Sequence, residues 1–501
     1  IFIQYTFAQN SSTYFIVYLK DKANSNYSIE QPEKFLSTKA IERRKKQYIS
    51  ITSNDIPVNK QYIQAIQLQG VKIVNTSKWF NLITITNVNS NQLNAIKTFS
   101  FVKEVQEIKV QPSTTIHPKF ELEKETTEII TSSINEKQTT SFDYGLSYIQ
   151  ANQIGADCMH NLGYTGSGVT IAVIDAGFMN THILPTFDSI RTNNQILGCR
   201  DFVTGDTLVY EDYPHGMNVL SCMAGNTPGY LVGTAPKANY WLLRTEDIGS
   251  ETPLEEIYWA IAAEFADSVG ADIINSSLGY STFDNPADNH SFADMDGNTT
   301  IITKAADIAA SKGIFVTTSA GNAGGPPWYK ITAPADADSA LTVGAVDSLG
   351  VITGFSSRGL TFDGRIKPNV VARGHQTRFA TSFGGFTQGN GTSFSSPVTA
   401  GAVACLWQAN PTASNMDLLY AIQQSANQNT APDSIKGYGI PNFCLANTLL
   451  TSIAQIDNEI GFNIYPNPVS NELTIQFLNK LKTEQAIITI YDALGQVVTS
   501  A

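Results

Sequence analysis

Cysteine is scarce in this chain, with five among 501 residues, at positions 158, 199, 222, 405 and 444. None of them forms the C-x-x-C spacing that zinc sites and thiol redox sites use, so both kinds of site are disfavoured. We expect Cys222 and Cys405 to lie on core helices as inert apolar side chains. The other three cysteines can form one disulfide at most, because an odd number excludes complete pairing.

Long apolar runs are also missing, since no segment approaches the ~20 residues of a membrane-spanning helix. The sequence therefore predicts no membrane span. The chain begins with residues 1–9, IFIQYTFAQ, which are followed at once by polar residues. This pattern is typical of the end of a secretory signal peptide, and an ordinary first strand is the alternative.

Positive charge is concentrated in the first part of the chain. Residues 1–110 hold 14 Lys and Arg against 7 Asp and Glu, a net charge of +7, whereas the whole chain carries −12. The remaining residues therefore carry −19, which indicates electrostatic complementarity between two parts of one chain. The basic run Arg43–Lys46 is isolated, so we predict no nucleic-acid partner and expect this run to lie on a solvated helix face.

Strands and helices alternate between about residues 143 and 450. Apolar, β-rich segments lie at 169–175, 240–244, 272–276, 314–319 and 341–346, and helical segments at 215–224, 254–268, 300–311 and 393–408. This alternation predicts an α/β fold in which a parallel sheet carries helices on both faces. Functional sites in such sheets form beyond the carboxyl ends of the strands.

Four side chains stand at strand ends or helix starts in this region. They are Asp175 after an apolar strand, His215 at a helix start, Asn322 after another strand, and Ser393 at a second helix start. A serine hydroxyl becomes a nucleophile when a histidine accepts its proton and a buried carboxylate orients that histidine. An amide N–H can then stabilise the oxyanion. The pattern predicts a hydrolase with an activated serine nucleophile.

In this order the segments resemble those of the subtilisin-like serine peptidases, the subtilase family. The resemblance covers roughly residues 145–450 and includes the segments GSGV at 166–169, AVID at 172–175, HG at 215–216, INSSLG at 274–279, SAGN at 319–322, FSSRG at 355–359 and GTS at 391–393. It implies a secreted serine endopeptidase, made as a zymogen, that hydrolyses peptide bonds through an acyl-enzyme. Its implied catalytic residues are Asp175, His215, Ser393 and Asn322. Its implied substrate-binding residues are Ser277, Leu278, Gly279, Ala320 and Gly321.

The flanking regions carry resemblances of their own. Residues 10–110, with a strand–helix–strand–strand–helix–strand pattern, resemble the inhibitory propeptide of these peptidases, a small α+β ferredoxin-like domain. Residues 453–501 alternate like strands of a β-sandwich and resemble a truncated C-terminal sorting domain of type IX secretion in Bacteroidetes-like bacteria. We therefore divide the chain into a signal remnant (1–9), the propeptide (10–110), a linker with the maturation site (111–142), the peptidase domain (143–452) and the sorting domain (453–501). The implied partners are protein or peptide substrates and the chain's own propeptide.

Two features leave alternatives open. Ala176 stands where the family usually has Ser or Thr, so a hydroxyl that could bind the catalytic carboxylate is absent. A catalytically silent surface-binding module on the same fold is the second hypothesis. This chemistry requires no cofactor. Four aspartates lie in one loop, and their carboxylates leave a calcium site there as an alternative: Asp284, Asp288, Asp294 and Asp296.

Overall fold

The computed structural model describes residues 12–110, residues 142–457 and four short strands within residues 462–500. Its contacts divide the chain into two units, residues 1–447 and residues 448–501. The predicted signal remnant lies outside the described residues, as does the predicted linker up to residue 141.

The N-terminal domain is one antiparallel sheet with helices. Its elements are β1 (Ser12–Leu19), α1 (Thr38–Lys46), α2 (Lys60–Gln67), β2 (Lys72–Ser77), β3 (Leu82–Thr86), α3 (Ser90–Lys97) and β4 (Val102–Val110). The strand order is β2-β3-β1-β4, and every neighbouring pair is antiparallel. This arrangement confirms the predicted ferredoxin-like pattern, with α1 added between β1 and α2.

The prediction of a solvated helix face at Arg43–Lys46 is wrong for its first two residues. Lys45 and Lys46 are exposed. Arg43 and Arg44, on the same helix, are only 4% and 1% exposed. Both guanidinium groups pair with the carboxylate of Asp267 in the following domain. Charge pattern along the sequence could not reveal this burial, because the counter-charge lies more than two hundred residues away.

The following domain contains the larger sheet. Its elements in chain order are α4 (Tyr148–Asn152), α5 (Ala156–Asn161), β5 (Thr170–Asp175), α6 (Asp188–Thr192), β6 (Ile196–Asp201), α7 (His215–Ala224), β7 (Asn226–Thr227), β8 (Leu231–Val232), β9 (Asn239–Arg244), α8 (Pro253–Val269), β10 (Ile273–Ser276), α9 (Ile301–Ser311), β11 (Phe315–Ser319), β12 (Ala340–Val346), β13 (Val370–Arg373), β14 (Thr377–Ala380), β15 (Phe386–Gly389), α10 (Thr392–Ala409), α11 (Asn415–Ser425) and α12 (Phe443–Asp457). Seven strands pair in the order β13-β12-β11-β10-β5-β9-β6, all in parallel. The predicted parallel α/β sheet is confirmed.

Side chains of β5 alternate between the two faces of this sheet, as they do along any strand. Ala172 and Ile174 join the core formed by α8 and α9. Asp175 therefore points to the opposite face, where α7 packs against β5 and α10 packs across β10 to β13. The sheet thus carries helices on both faces, and the face with α7 and α10 bears the carboxylate.

Local sequence signals set both ends of helix α8. Thr252 and Glu255 form a capping box at its start, and Pro253 occupies the first turn, where the missing N–H costs nothing. Gly270 ends the helix with a φ of 85°, a conformation that favours glycine. Helix α8 packs on the sheet and also against the N-terminal domain, whose Ile16, Trp79 and Leu82 share its core.

The C-terminal unit contains two antiparallel strand pairs. Strand β16 (Phe462–Tyr465) pairs with β17 (Thr474–Phe477), and β18 (Thr489–Tyr491) pairs with β19 (Val497–Ser500). All four strands lie in the region where alternating residues predicted a partial β-sandwich.

Candidate active site

The carboxyl edge of the large sheet gathers the predicted site residues. Asp175 is the last residue of β5, Ser277 follows β10 directly, and Asn322 lies three residues beyond the end of β11. The carboxyl ends of parallel strands meet at one edge, so residues a hundred positions apart come together there.

Asp175 and His215 form a buried pair. Nδ1 of His215 lies 2.6 Å from Oδ1 of Asp175, and these residues are 4% and 0% exposed. The same carboxylate oxygen accepts a hydrogen bond from the backbone N–H of Ala176 at 2.8 Å. A proton on Nδ1 that is held by the carboxylate leaves Nε2 of the imidazole as the basic nitrogen.

A glycine allows helix α7 to begin so close to β5. A Cβ on Gly216 would lie 2.5 Å from the backbone oxygen of Gly177 and 2.8 Å from Cβ of Asp175. Neither atom can move without displacing the strand end. The His-Gly pair in the sequence is therefore a steric requirement of the His215 position.

The second carboxylate oxygen of Asp175 is buried and accepts no hydrogen bond from the described residues. Ala176 has no hydroxyl to offer it, which agrees with the departure noted in the sequence. Oδ1 of Asp175 nevertheless contacts Nδ1 of His215 and accepts from the N–H of Ala176, so the carboxylate can orient His215 without that hydroxyl.

Ser393 lies in the first turn of α10, whose residues Thr392–Trp407 are buried. Its Oγ donates a hydrogen bond to the carbonyl oxygen of Ser277 at 3.2 Å. In return, Oγ of Ser277 donates to the carbonyl oxygen of Ser393 at 3.0 Å. This reciprocal pair ties the start of α10 to the end of β10, and the helix N-terminus places a partial positive charge beside the hydroxyl.

The side chain of Asn322 is oriented by Thr392. Its Oδ1 accepts hydrogen bonds from the backbone N–H of Thr392 at 2.9 Å and from the Thr392 hydroxyl at 2.8 Å. The Nδ2 group, pointing the other way, lies 3.6 Å from the position of a Cβ on Gly391. Asn322 is exposed. Sequence reasoning missed Thr392, and its only signal is its place before Ser393.

The two predicted substrate-binding segments meet around Thr332. A Cβ on Gly279 would lie 2.3 Å from Oγ1 of Thr332, and a Cβ on Gly321 would lie 2.7 Å from the same oxygen. A side chain at either position would therefore displace Thr332, and Gly321 also has a φ of 101°, which favours glycine. Leu278 and Ala320 are buried, at 2% and 0% exposure, so these segments offer mainly their backbones. Thr332 was not identified from the sequence, because it lies outside both motifs.

The aspartates of the acidic loop do not converge. Asp284 accepts from the backbone of Glu251, Asp288 from Asn285, and Asp294 from Ser291. Asp296 accepts hydrogen bonds at the following turn. Within the described part of the chain, no group of three or more acidic, His or Cys side chains has the geometry to hold a metal ion.

The cysteines fall into one disulfide-bonded pair and free thiols, as the sequence suggested. Cys158 and Cys444 form a disulfide that joins α5 to the start of α12 across 286 residues. Cys222 and Cys405 are buried on α7 and α10. Burial raises the pKa of both thiols, so they stay protonated and unreactive.

Comparison with known protein families agrees with this geometry. The Subtilase family matches residues 166–439, more than half of the chain. The Peptidase S8 propeptide domain of Bacteroidota matches residues 14–125, and the Secretion system C-terminal sorting domain matches residues 463–501. Among the helices of the described residues, none has the length and apolar character needed to cross a membrane. The propeptide match identifies the N-terminal domain as a propeptide, and the sorting-domain match indicates that the chain is secreted or held at the cell surface.

Individual relatives agree with the family match. Subtilisin E of Bacillus subtilis (strain 168) is 32% identical over 298 residues, which are 58% of this chain and 68% of that protein. Subtilisin of Bacillus pumilus is 32% identical over 291 residues, 57% of this chain and 92% of that protein. Subtilisin Savinase of Lederbergia lenta is 28% identical over 304 residues, 60% of this chain and 97% of that protein. With its propeptide and its sorting domain, the chain belongs to the subtilase family and is a secreted serine endopeptidase made as a zymogen.

Proposed function

We propose that this peptidase hydrolyses peptide bonds through an acyl-enzyme on Ser393. The observation that carries the proposal is the buried contact of 2.6 Å between Nδ1 of His215 and Oδ1 of Asp175. This contact leaves Nε2 of the imidazole as the base and stabilises the imidazolium that forms during the reaction. In this mechanism Asn322 supplies the N–H that stabilises the oxyanion.

The reaction begins when Oγ of Ser393 turns from the Ser277 carbonyl and attacks the scissile carbonyl carbon. Its proton passes to Nε2 of His215, and the carbonyl oxygen becomes an oxyanion that accepts a hydrogen bond from Nδ2 of Asn322. His215 then gives that proton to the leaving amine as the C–N bond breaks, and an ester on Ser393 remains. A water molecule, deprotonated by the same imidazole, attacks the ester and restores the free hydroxyl.

The cleft segments favour an extended polypeptide as the substrate. Residues 277–279 and 320–321 present backbone groups, because their side chains are small or buried. An extended peptide can add to such a segment as a strand, through main-chain hydrogen bonds. We therefore propose protein substrates, and we assign residues Ser277, Leu278, Gly279, Ala320 and Gly321 to peptide binding.

We assign no step of this mechanism to a metal ion, since side chains fill the roles of nucleophile, base, orienting acid and oxyanion donor. Calcium in the acidic loop stays a prediction. A melting temperature that falls on addition of EDTA and recovers with calcium would support it.

Replacement of Ser393 by Ala tests the mechanism. The full chain and its Ser393→Ala variant are expressed side by side, and their sizes and N-termini are compared. We expect the wild type to lose its propeptide and to react with a fluorophosphonate, and the variant to do neither. The matched control is Ser395→Ala, in which the lost hydroxyl donates to the Thr392 carbonyl of the same helix.

The second candidate function is a binding module with an inactive site, for which Ala176 is the favouring observation. If neither the wild type nor the variant is processed, and the wild type fails to react with the fluorophosphonate, this second function replaces the first. Normal processing of Ser393→Ala would assign the nucleophile to another residue.

A further inference from the structure

Helix α1 of the propeptide contacts the edge of the large sheet that lies opposite the active site. Lys39 of α1 donates hydrogen bonds of 2.6 Å to Thr170, the first residue of β5, and of 2.6 Å to Asp272, directly before β10. Gln47, just after α1, donates to the carbonyl oxygen of Gly313, two residues before β11. These contacts lie at the amino ends of the strands that carry the active site at their carboxyl ends.

Arg43 joins the C-terminal ends of two peptidase helices. Its Nε donates to the carbonyl oxygen of Lys312, after α9, at 3.2 Å, and its Nη1 donates to the carbonyl oxygen of Ala271, after α8. Its Nη2 lies 2.6 Å from Oδ1 of Asp267, near the end of α8. Carbonyl groups at a helix C-terminus lack helical partners and carry partial negative charge, so a buried guanidinium suits this position.

Asp267 is the centre of a buried ionic cluster. Besides Arg43, it accepts from Nη2 of Arg44 at 2.8 Å and lies 3.3 Å from Nζ of Lys78. Burial alone would raise its pKa, but Lys78, Arg43 and Arg44 together lower it, so the carboxylate stays charged. All three of these cations belong to the propeptide.

Asp55 of the propeptide completes the cluster. It lies 2.9 Å from Nη2 of Arg44 and 3.1 Å from Nζ of Lys312 in the peptidase domain. Arg44 thereby bridges a carboxylate of the peptidase and a carboxylate of the propeptide. Each domain thus contributes both cations and carboxylates to the contact.

The backbone of the peptidase is shaped to receive α1. A Cβ on Gly270 would lie 2.8 Å from Cβ of Lys39 and 2.9 Å from the backbone nitrogen of Ala40. The backbone N–H of Ser37 donates to the carbonyl oxygen of Ser268 at 2.8 Å, which aligns the start of α1 with the end of α8. Any side chain at position 270 would push the helix away.

This contact cannot block catalysis directly. Thr170 and Asp175 stand at opposite ends of β5, and five steps of about 3.3 Å separate them by about 17 Å. Helix α1 therefore acts on the active site only through the affinity with which the propeptide is held.

We propose that this amino-edge surface, centred on Asp267, is a docking site for the arginine-bearing helix α1, and that it retains the propeptide after the linker is cut. Its occupant is residues 12–110 of this chain. Release of the propeptide withdraws three cations from Asp267, two of which are buried guanidinium groups, so the contact sets how long the cut zymogen stays inhibited. The proposal rests on the inhibitory role of the propeptide, but not on the assignment of Ser393.

The test uses a full chain that carries Ser393→Ala and a recognition sequence for an external protease, inserted between residues 112 and 140. After the external cut and dilution, gel filtration follows how long the propeptide elutes with the peptidase domain. We expect Arg43→Ala/Arg44→Ala to shorten this time at least about 100-fold, because it leaves Asp267 short of counter-charge. The matched control Lys45→Ala/Lys46→Ala removes the same charge from exposed positions of the same helix and should leave retention unchanged.

A second variant covers the case in which the double Arg variant fails to fold. Lys39→Met alters the partly exposed rim of the surface, where the Lys39 side chain is 39% exposed, and should shorten retention by about threefold to tenfold. The proposal is overturned if the parental chain releases its propeptide at once after the cut. It is also overturned if Lys39→Met behaves as the parental chain, or if a folded double Arg variant retains its propeptide normally. Because this readout needs no catalysis, a failure of the triad assignment would appear only in the Ser393 experiment.

Discussion

Polar side chains at the two edges of the large sheet are bound by partners from different domains. At the carboxyl edge, Asp175 is bound by His215 and Asn322 by Thr392, so both partners belong to the peptidase domain. At the amino edge, Asp267 and Asp272 are bound by side chains of the propeptide.

This difference reflects what each edge must do when the propeptide leaves. Groups that perform catalysis need partners that remain, because a general base must keep its orientation through every turnover. Groups that hold a temporary inhibitor can draw their counter-charges from the inhibitor itself. Substitutions at the carboxyl edge should therefore change turnover, and substitutions at the amino edge should change retention of the propeptide.

The largest effect is expected for Asn322→Ala at the carboxyl edge. Loss of one oxyanion donor should lower kcat by about 10²–10³-fold, a magnitude taken from subtilisin, with little change in KM. Steady-state hydrolysis of a peptide measures both constants. Asn298→Ala, which alters an exposed asparagine of the acidic loop, is the control. An unchanged kcat in Asn322→Ala would remove this residue from the mechanism.

Removal of the disulfide should lower stability without changing turnover. Cys158→Ala/Cys444→Ala removes a link that closes 286 residues, and we expect a loss of about 2–5 kcal/mol in the free energy of unfolding. Thermal or urea unfolding measures this loss, and kcat at a permissive temperature should stay the same. Cys199→Ala, at a free and partly buried cysteine, is the control. A melting temperature equal to that of the wild type would show that the disulfide adds nothing to stability.

Retention of the propeptide should weaken as the pH rises towards 7. Glu264 of α8 accepts hydrogen bonds from the backbone N–H groups of Lys78 at 2.7 Å and Trp79 at 3.0 Å, and burial raises its pKa from 4.5 to about 7. The contacts from Ser77, Lys78 and Trp79 lower this pKa, so the net rise comes from burial. We expect release of the propeptide to return the carboxylate to water and its pKa towards 4.5, in which case docking takes up a proton and affinity falls by at most tenfold per pH unit between pH 4.5 and 7.

Retention times of the externally cut chain from pH 5 to pH 8 measure this dependence. Glu264→Gln cannot titrate, and it should flatten the profile. The carboxylates of Asp267 and Asp55 cannot imitate the effect, because the pKa of Asp267 is lowered and that of Asp55 is lowered to about 2. Both of those carboxylates would weaken docking only at lower pH. A profile that is flat in the parental chain would contradict this role of Glu264.

A smaller effect is expected at Thr332, which lies between the two glycines proposed to bind substrate. Thr332→Gly removes the side chain that approaches Gly279 and Gly321, so we expect a relative gain of about tenfold for substrates with larger side chains before the scissile bond. Values of kcat/KM for a peptide series that differs only at that side chain test this expectation. Equal ratios in the wild type and the variant would place Thr332 outside the determinants of specificity.

Much of the fold could be predicted from local pattern. The predicted strand at 169–175 and helix at 393–408 match β5 (Thr170–Asp175) and α10 (Thr392–Ala409) within one residue at each end. Both are apolar and each is preceded by a glycine, Gly168 or Gly391, so their beginnings are clear. Strand β6 was not singled out, because it lies at an edge of the sheet, and its half-exposed residues show no regular alternation.

The residue types that the proposed mechanism needs, their order and their places at strand ends or helix starts can be read from the sequence, because each depends on a motif of a few residues. Tertiary structure alone decided which distant residues complete them: Thr392 for Asn322, Thr332 for the paired glycines, Cys444 for Cys158, and Asp267 for two arginines expected in solvent. These partners depend on how elements far apart in the chain pack together, and no local pattern encodes that packing.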